Sequence, residues 1–142
     1  MVLPEPENGL VISYTYLWRN ESKAGKTEGL KNRPSAIILV IKEENNNKRV
    51  TVAPITHTPP INSEAAIEIP QKVKQHLGLD AERSWIILDD FNEFIWPGYD
   101  LRPVPGKTGI YDYGFLPPAL YKQIVSKIIE LRKKSFNKTS RD

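Results

Sequence analysis

Two apolar, β-branched runs, SAIILVI (residues 35–41) and VTVAPI (residues 50–55), flank the polar stretch EENNNKR. Runs of strand length joined by a polar, asparagine-rich segment predict a β-hairpin. Folded about Asn46, such a hairpin pairs residues whose numbers total about 92, which carries Arg33 to the loop Thr56–Pro59. A slip of one residue decides whether Arg33 shares a face with His57 or with Thr56 and Thr58, and the sequence leaves both open.

The remaining segments supply partners for this hairpin. GLVISYTYLW reads as a first strand, AIEIP as a short one, SWIILDDFNEFIW as one long strand and IYDYGFL as a brief one. PQKVKQHLG predicts a short helix with proline near its start and Gly78 just past its end. A second, amphipathic helix closes the chain, with Leu120, Ile124, Ile128 and Leu131 at helical spacing to pack on the sheet. Residues after Ser135 are polar and expected to fray. Five to six short, mainly antiparallel strands with two helices imply an α+β, mostly β fold: a small, strongly bent sheet or barrel. The 142 residues suit a single domain, with a core over about 9–134 and a polar tail at 135–142.

Composition narrows the chemistry. No cysteine is present, which removes disulfides, thiolate nucleophiles and cysteine-bound metals. The two histidines, His57 and His76, show no ligand-like spacing, so no metal and no cofactor are expected and hydrolytic chemistry would run metal-free. No apolar run approaches the length of about 18 residues that spans a bilayer, and the acidic, proline-bearing start is unlike a signal peptide. A cytoplasmic location without membrane contact is therefore expected. The net charge of +3 permits nucleic-acid contact but is weak evidence for it. More telling is a basic, glycine-containing loop bearing Arg19, Lys23, Lys26, Lys31 and Arg33 against only Glu21 and Glu28.

RNA is cut without metal when its own 2′-hydroxyl attacks the adjacent phosphorus, given a base, an acid and positive charge. Arg33 offers an always-charged planar fork for the phosphoryl oxygens. Thr56 can hydrogen-bond the same oxygens, and His57 can carry a proton near neutral pH. Arg19, Lys26, Lys31, Thr58 and Asn92 are the candidates for holding the strand, with Glu93, Trp96 and Tyr99 as possible groove residues for unpaired bases. Each has a plainer reading. An arginine before a proline at a strand start is more often a solvated edge residue, threonines in turns commonly bond backbone, and buried aromatics commonly serve core or dimer packing. Asp89 and Asp90, adjacent on a strand, point to opposite faces and cannot act as a carboxylate pair.

These segments, in this order, resemble the PemK/MazF toxin family. An arginine–proline pair precedes an apolar strand in NRPSAIILVI, the next strand ends in proline, an apolar residue and threonine in APITHT, and SWIILDD and a GFL turn before the terminal helix complete the pattern. NEFIWPGYDLRP departs from the family's late strand, as does His57 after the threonine. The resemblance implies an SH3-like barrel and a toxin-type endoribonuclease of a type II toxin–antitoxin system, with Arg33 and Thr56 as its catalytic pair. It further implies a homodimer with single-stranded mRNA along its interface, a cognate antitoxin filling the groove, and a role for Glu28 as the acidic residue of the first loop. Two alternatives on the same architecture are a non-catalytic protein that blocks a protein target such as gyrase, and a passive RNA-binding module.

Overall fold

A computed structural model describes residues 3–18 and 31–133, together with the backbone of residues 137–140. The predicted hairpin is its centre. Strand β2 (Lys31–Lys42) and strand β3 (Lys48–Thr56) pair antiparallel, with Lys42 opposite Lys48 and Ser35 opposite Pro54. Paired numbers therefore total 90 near the turn and 89 beyond a bulge between Ile37 and Leu39, short of the expected 92. Turn chemistry explains the offset. The Asn46 amide donates to the Glu43 carbonyl, the Glu43 amide donates to Asn47, and Asn46 takes a positive φ of 68° that asparagine tolerates. The bulge is anchored by the Tyr121 hydroxyl, which donates to the Ile38 carbonyl at 2.6 Å.

Strand β1 (Leu10–Tyr16) pairs with β2, placing Tyr14 opposite Arg33, and β7 (Asp112–Phe115) adds outside β1. On the other side of β3 the segment expected as one strand is two. Strand β5 (Trp85–Ile87) pairs with Ile55 and Thr56 and with the short β4 (Ala66–Glu68), whereas β6 (Asp90–Ile95) pairs with Arg49–Val52. A bend at residues 88–89 separates them, and there the Leu88 amide donates to the Ala65 carbonyl instead of continuing the ladder. The tail expected to fray contributes β8 (Asn137–Ser140), parallel to β6; its polar sequence carries no strand pattern, and pairing with an open strand edge is what orders it. All eight strands belong to one curled, mostly antiparallel sheet, giving the α+β, mostly β architecture expected.

Both faces of the central strands are buried. Val11, Ala36, Ala53, Ile55, Ile86 and Leu88 face helix α2 (Pro118–Leu131) through Leu120, Ile124 and Leu131. Their neighbours Ile12, Tyr14, Tyr16, Ile37, Val50, Val52 and Phe94 form a second core on the opposite face. Two covered faces account for continuous apolar runs where an alternating pattern would mark a half-exposed sheet. Helix α1 (Gln71–His76) ends at Gly78, whose φ of 71° is the left-handed conformation that glycine adopts without penalty. That stop directs residues 79–84 back across the end of β3, which shapes the site. Among the described residues, no helix is long and apolar enough to cross a membrane.

Candidate functional site

The hairpin's register fixes which side chains meet. With Ser35 opposite Pro54, Arg33 falls beside Thr56, and its Nη1 donates to Thr56 Oγ1 at 3.3 Å. Of the two alternatives open at the sequence level, the Thr56 face is the one adopted. The Arg33 guanidinium also lies over the Trp18 ring, 5.2 Å from its centroid, and Trp18 extends an aromatic row through Tyr16. Stacking on an indole immobilises a guanidinium while leaving its charge intact.

Thr56 is 6% exposed and lies in the floor of a cleft of about 570 Å³. Its oxygen accepts from Arg33 and from the Thr58 amide at 3.1 Å. A hydroxyl has two acceptor positions and one donor, so with both lone pairs engaged the O–H is what the group can still offer. Thr58 thus enters through its backbone, and its exposed side chain is separate from this bond.

His57, next along the chain, points to the other wall. Its Nε2 is 2.8 Å from Asp80 Oδ2 and its Nδ1 is 3.8 Å from Glu82 Oε2. Asp80 in turn accepts from Lys74 at 2.7 Å through its other oxygen. Lys74 is 1% exposed, and its ammonium also donates to Ser84 Oγ at 2.7 Å and to the Glu82 carbonyl. All three of its donors are thereby used, the condition under which a lysine tolerates burial. The Lys74 hydrogen bond holds the Asp80 carboxyl below the usual aspartate range, and the charge of His57 adds to this.

Arg33, Lys31, Thr56, His57, Lys74 and Asp80 all line this one cleft, together with Lys107, Asp112 and Tyr113. Four cationic side chains, Lys31, Arg33, Lys74 and Lys107, and a histidine–carboxylate pair in one cleft make it suited to an anionic substrate that must exchange a proton. The chain was expected to lack a metal-ligand set. The fold nevertheless brings His57, Asp80 and Glu82 together, with ligand atoms all within 4.8 Å of one another. Such donors suit a divalent cation, although Lys74 competes for the Asp80 carboxylate.

The other candidates are distributed differently. Arg19, Lys26 and Glu28 lie outside the described residues. Asn92 must be corrected: it is 0% exposed, its amide nitrogen donates to the Leu17 carbonyl at 2.7 Å, and its oxygen accepts from the Leu17 amide at 3.0 Å. It braces the end of β1 against β6 and presents no surface to a nucleic acid. Trp96 packs on the second core and Glu93 pairs with Arg49 at 3.6 Å, while Tyr99 is exposed; none lines the cleft. Lys74 and Asp80 were missed at the sequence level. One signal existed, since Lys74 stands three residues before the buried Leu77 and so on the inward face of α1. Comparison with protein-family models, with curated proteins and with solved structures returns no match.

Proposed function

We propose that this protein is a metal-independent endoribonuclease of the PemK/MazF kind, cleaving single-stranded RNA at the Arg33–Thr56 cleft. The observation that carries the reading is the Arg33–Thr56 hydrogen bond in a cleft that also contains His57. In the reaction, His57 takes the proton of a 2′-hydroxyl as that oxygen attacks the adjacent phosphorus. The bond from phosphorus to the 5′-oxygen breaks, leaving a 2′,3′-cyclic phosphate. The departing 5′-oxygen takes up a proton from water, and the proton held by His57 returns to solvent, while Arg33 keeps its charge throughout. Arg33 neutralises the charge growing on the non-bridging oxygens, and the Thr56 hydroxyl donates its remaining hydrogen bond to one of them. Lys31 and Lys107 draw in the neighbouring phosphates. In the cell, the same reading makes it a cytoplasmic toxin, dimeric, acting on mRNA and restrained by a cognate antitoxin.

The test is incubation of purified protein with a long single-stranded RNA in excess EDTA, beside Arg33→Ala. Fragments ending in cyclic phosphate, absent with the variant, are expected. Intact RNA with folded wild-type protein overturns the reading; cleavage that requires added divalent cation moves the chemistry to His57, Asp80 and Glu82.

A further inference from the structure

Arg83 and Trp85 do not line the cleft, yet the register of the sheet brings them to its border. The order of strands on this side is β4, β5, β3, β2. Thr56 on β3 lies directly opposite Trp85 on β5, and Trp85 lies directly opposite Glu68 on β4. Residues opposed in an antiparallel pair share a face, and the Arg33 guanidinium bonds Thr56 from β2. Arg33, Thr56, Trp85 and Glu68 therefore follow one another across four strands on one face of the sheet. Trp85 stands one strand spacing from Thr56, about 4.8 Å.

This row carries an arginine stacked on a tryptophan at each end, and the two stacks differ in charge. Arg33, 5.2 Å from the Trp18 ring centroid, keeps its charge for phosphate. Arg83 lies 5.0 Å from the Trp85 ring centroid, but its Nε and Nη2 donate to the two carboxylate oxygens of Glu68 at 2.9 and 2.7 Å. A guanidinium met by a bidentate carboxylate is a poor ligand for phosphate, while it keeps the planar face that stacks on ring systems. The Arg83 side chain is 68% exposed and Trp85 is half-buried, so this stack meets solvent.

We infer that the Arg83–Trp85 stack is a nucleobase-binding subsite, taking an unpaired base of the strand whose phosphate lies at Arg33 and Thr56. The inference rests on the RNA-cleaving reading above for what that strand undergoes. Unpaired bases stack on aromatic rings and on arginine planes, and such stacking tolerates any base because every base has a π-face. Glu68 acts as a positioning residue: it holds the guanidinium over the indole and cancels its charge. Attraction of the phosphate and capture of the base are thereby divided between the two ends of one row. A duplex, whose bases are already stacked on one another, cannot use the second end, which gives the site a preference for single strands.

The experiment is binding of a labelled single-stranded 2′-O-methyl oligonucleotide, which lacks the attacking hydroxyl, to the intact protein by fluorescence anisotropy. Removing one base at a time is expected to reveal a position whose loss weakens wild-type binding about 10-fold. Trp85→Leu, which keeps an apolar side chain on β5, is expected to bind the complete oligonucleotide about 10-fold more weakly and to be indifferent to the base at that position. Binding by Trp85→Leu at the wild-type level, or a full response to the missing base in that variant, overturns the inference. Arg83→Ala is expected to weaken binding with an unchanged dependence on salt; a slope shallower by about one charge means that Arg83 holds phosphate, and overturns it. The wild-type protein supplies a test free of variants: 5-iodouracil at the sensitive position should photocrosslink to Trp85, and a crosslink confined to other residues overturns the subsite. No binding of the oligonucleotide also overturns it. Binding at Trp85 without cleavage of the corresponding RNA fails the function proposed above and leaves the subsite, whereas cleavage with wild-type affinity in Trp85→Leu fails the subsite and leaves the function.

Discussion

Arg33 Nη1 stands 3.3 Å from Thr56 Oγ1, joining the third residue of β2 to the last residue of β3. A cation and a hydroxyl from opposite strands of one hairpin are thus held by backbone register rather than by mobile loops. Sites built on paired strands retain their geometry because displacing either group requires breaking the ladder.

If the pair acts on phosphoryl oxygen, charge and hydroxyl contribute separately. Arg33→Ala is expected to lower kcat by about 10²–10³-fold, the range for removing one preorganised donor from a developing anion. Arg33→Lys should recover little, since an ammonium neither stacks on Trp18 as a planar group nor forms a fork. Thr56→Ser should retain most activity, because it keeps the oxygen that accepts from Arg33 and Thr58, whereas Thr56→Val should not. Single-turnover cleavage of a short RNA measures all four.

Asn92 yields the opposite pattern. Its side chain closes both polar groups of the Leu17 peptide in a fully buried position. Asn92→Leu leaves a backbone N–H and a carbonyl without these bonds, so a loss of about 2–4 kcal/mol of stability is expected. Urea denaturation should show it, while cleavage per folded molecule stays at the wild-type level.

These two residues also show what sequence reading reaches. Strand identity was legible in the apolar runs, and the hairpin carried Arg33 to the neighbourhood of Thr56 despite a register two to three residues off, because the polar turn limits how far pairing can slide. The division of SWIILDDFNEFIW was not legible: β5 and β6 both pair with β3, and only the bend at residues 88–89 separates their registers. Nor was β8, whose polar residues are recruited by an available edge. The Asn92 error has the same origin, since a polar residue within an apolar strand looks identical whether it faces solvent or braces a neighbouring backbone. Lys74, Asp80 and His57 are brought together by the path of the chain after Gly78, which no local pattern encodes.

Alkaline pH should expose a second buried link. The Tyr16 hydroxyl donates to Asp90 Oδ1 at 2.8 Å, and burial together with that carboxylate raises its pKa well above the ordinary tyrosine value. In the unfolded chain Tyr16 ionises near pH 10, whereas in the folded protein it remains protonated. Above about pH 10 the unfolded state therefore binds fewer protons, and stability falls as pH rises toward the folded pKa. Tyr16→Phe should be less stable at neutral pH, having stripped Asp90 of this donor, yet show a shallower alkaline decline. Thermal melts from about pH 8 to pH 11 distinguish the two slopes.

The two carboxylates beside His57 should prove unequal. Asp80 stands 2.8 Å from Nε2 and is anchored by Lys74, whereas Glu82 is largely exposed and 3.8 Å from Nδ1. A solvated ion pair of that length contributes little, about 0–1 kcal/mol at most, and is screened by salt. Glu82→Gln is accordingly expected to leave cleavage near the wild-type rate and to make any effect vanish at high ionic strength. His57→Ala should slow the same reaction by about 10²-fold or more, the contribution of a positioned proton carrier. An unchanged rate in His57→Ala would remove the histidine from the mechanism and leave Arg33 and Thr56 as the reacting pair. A strong loss in Glu82→Gln that persists in salt would instead indicate that Glu82, and not the His57 imidazole, governs proton transfer in the cleft.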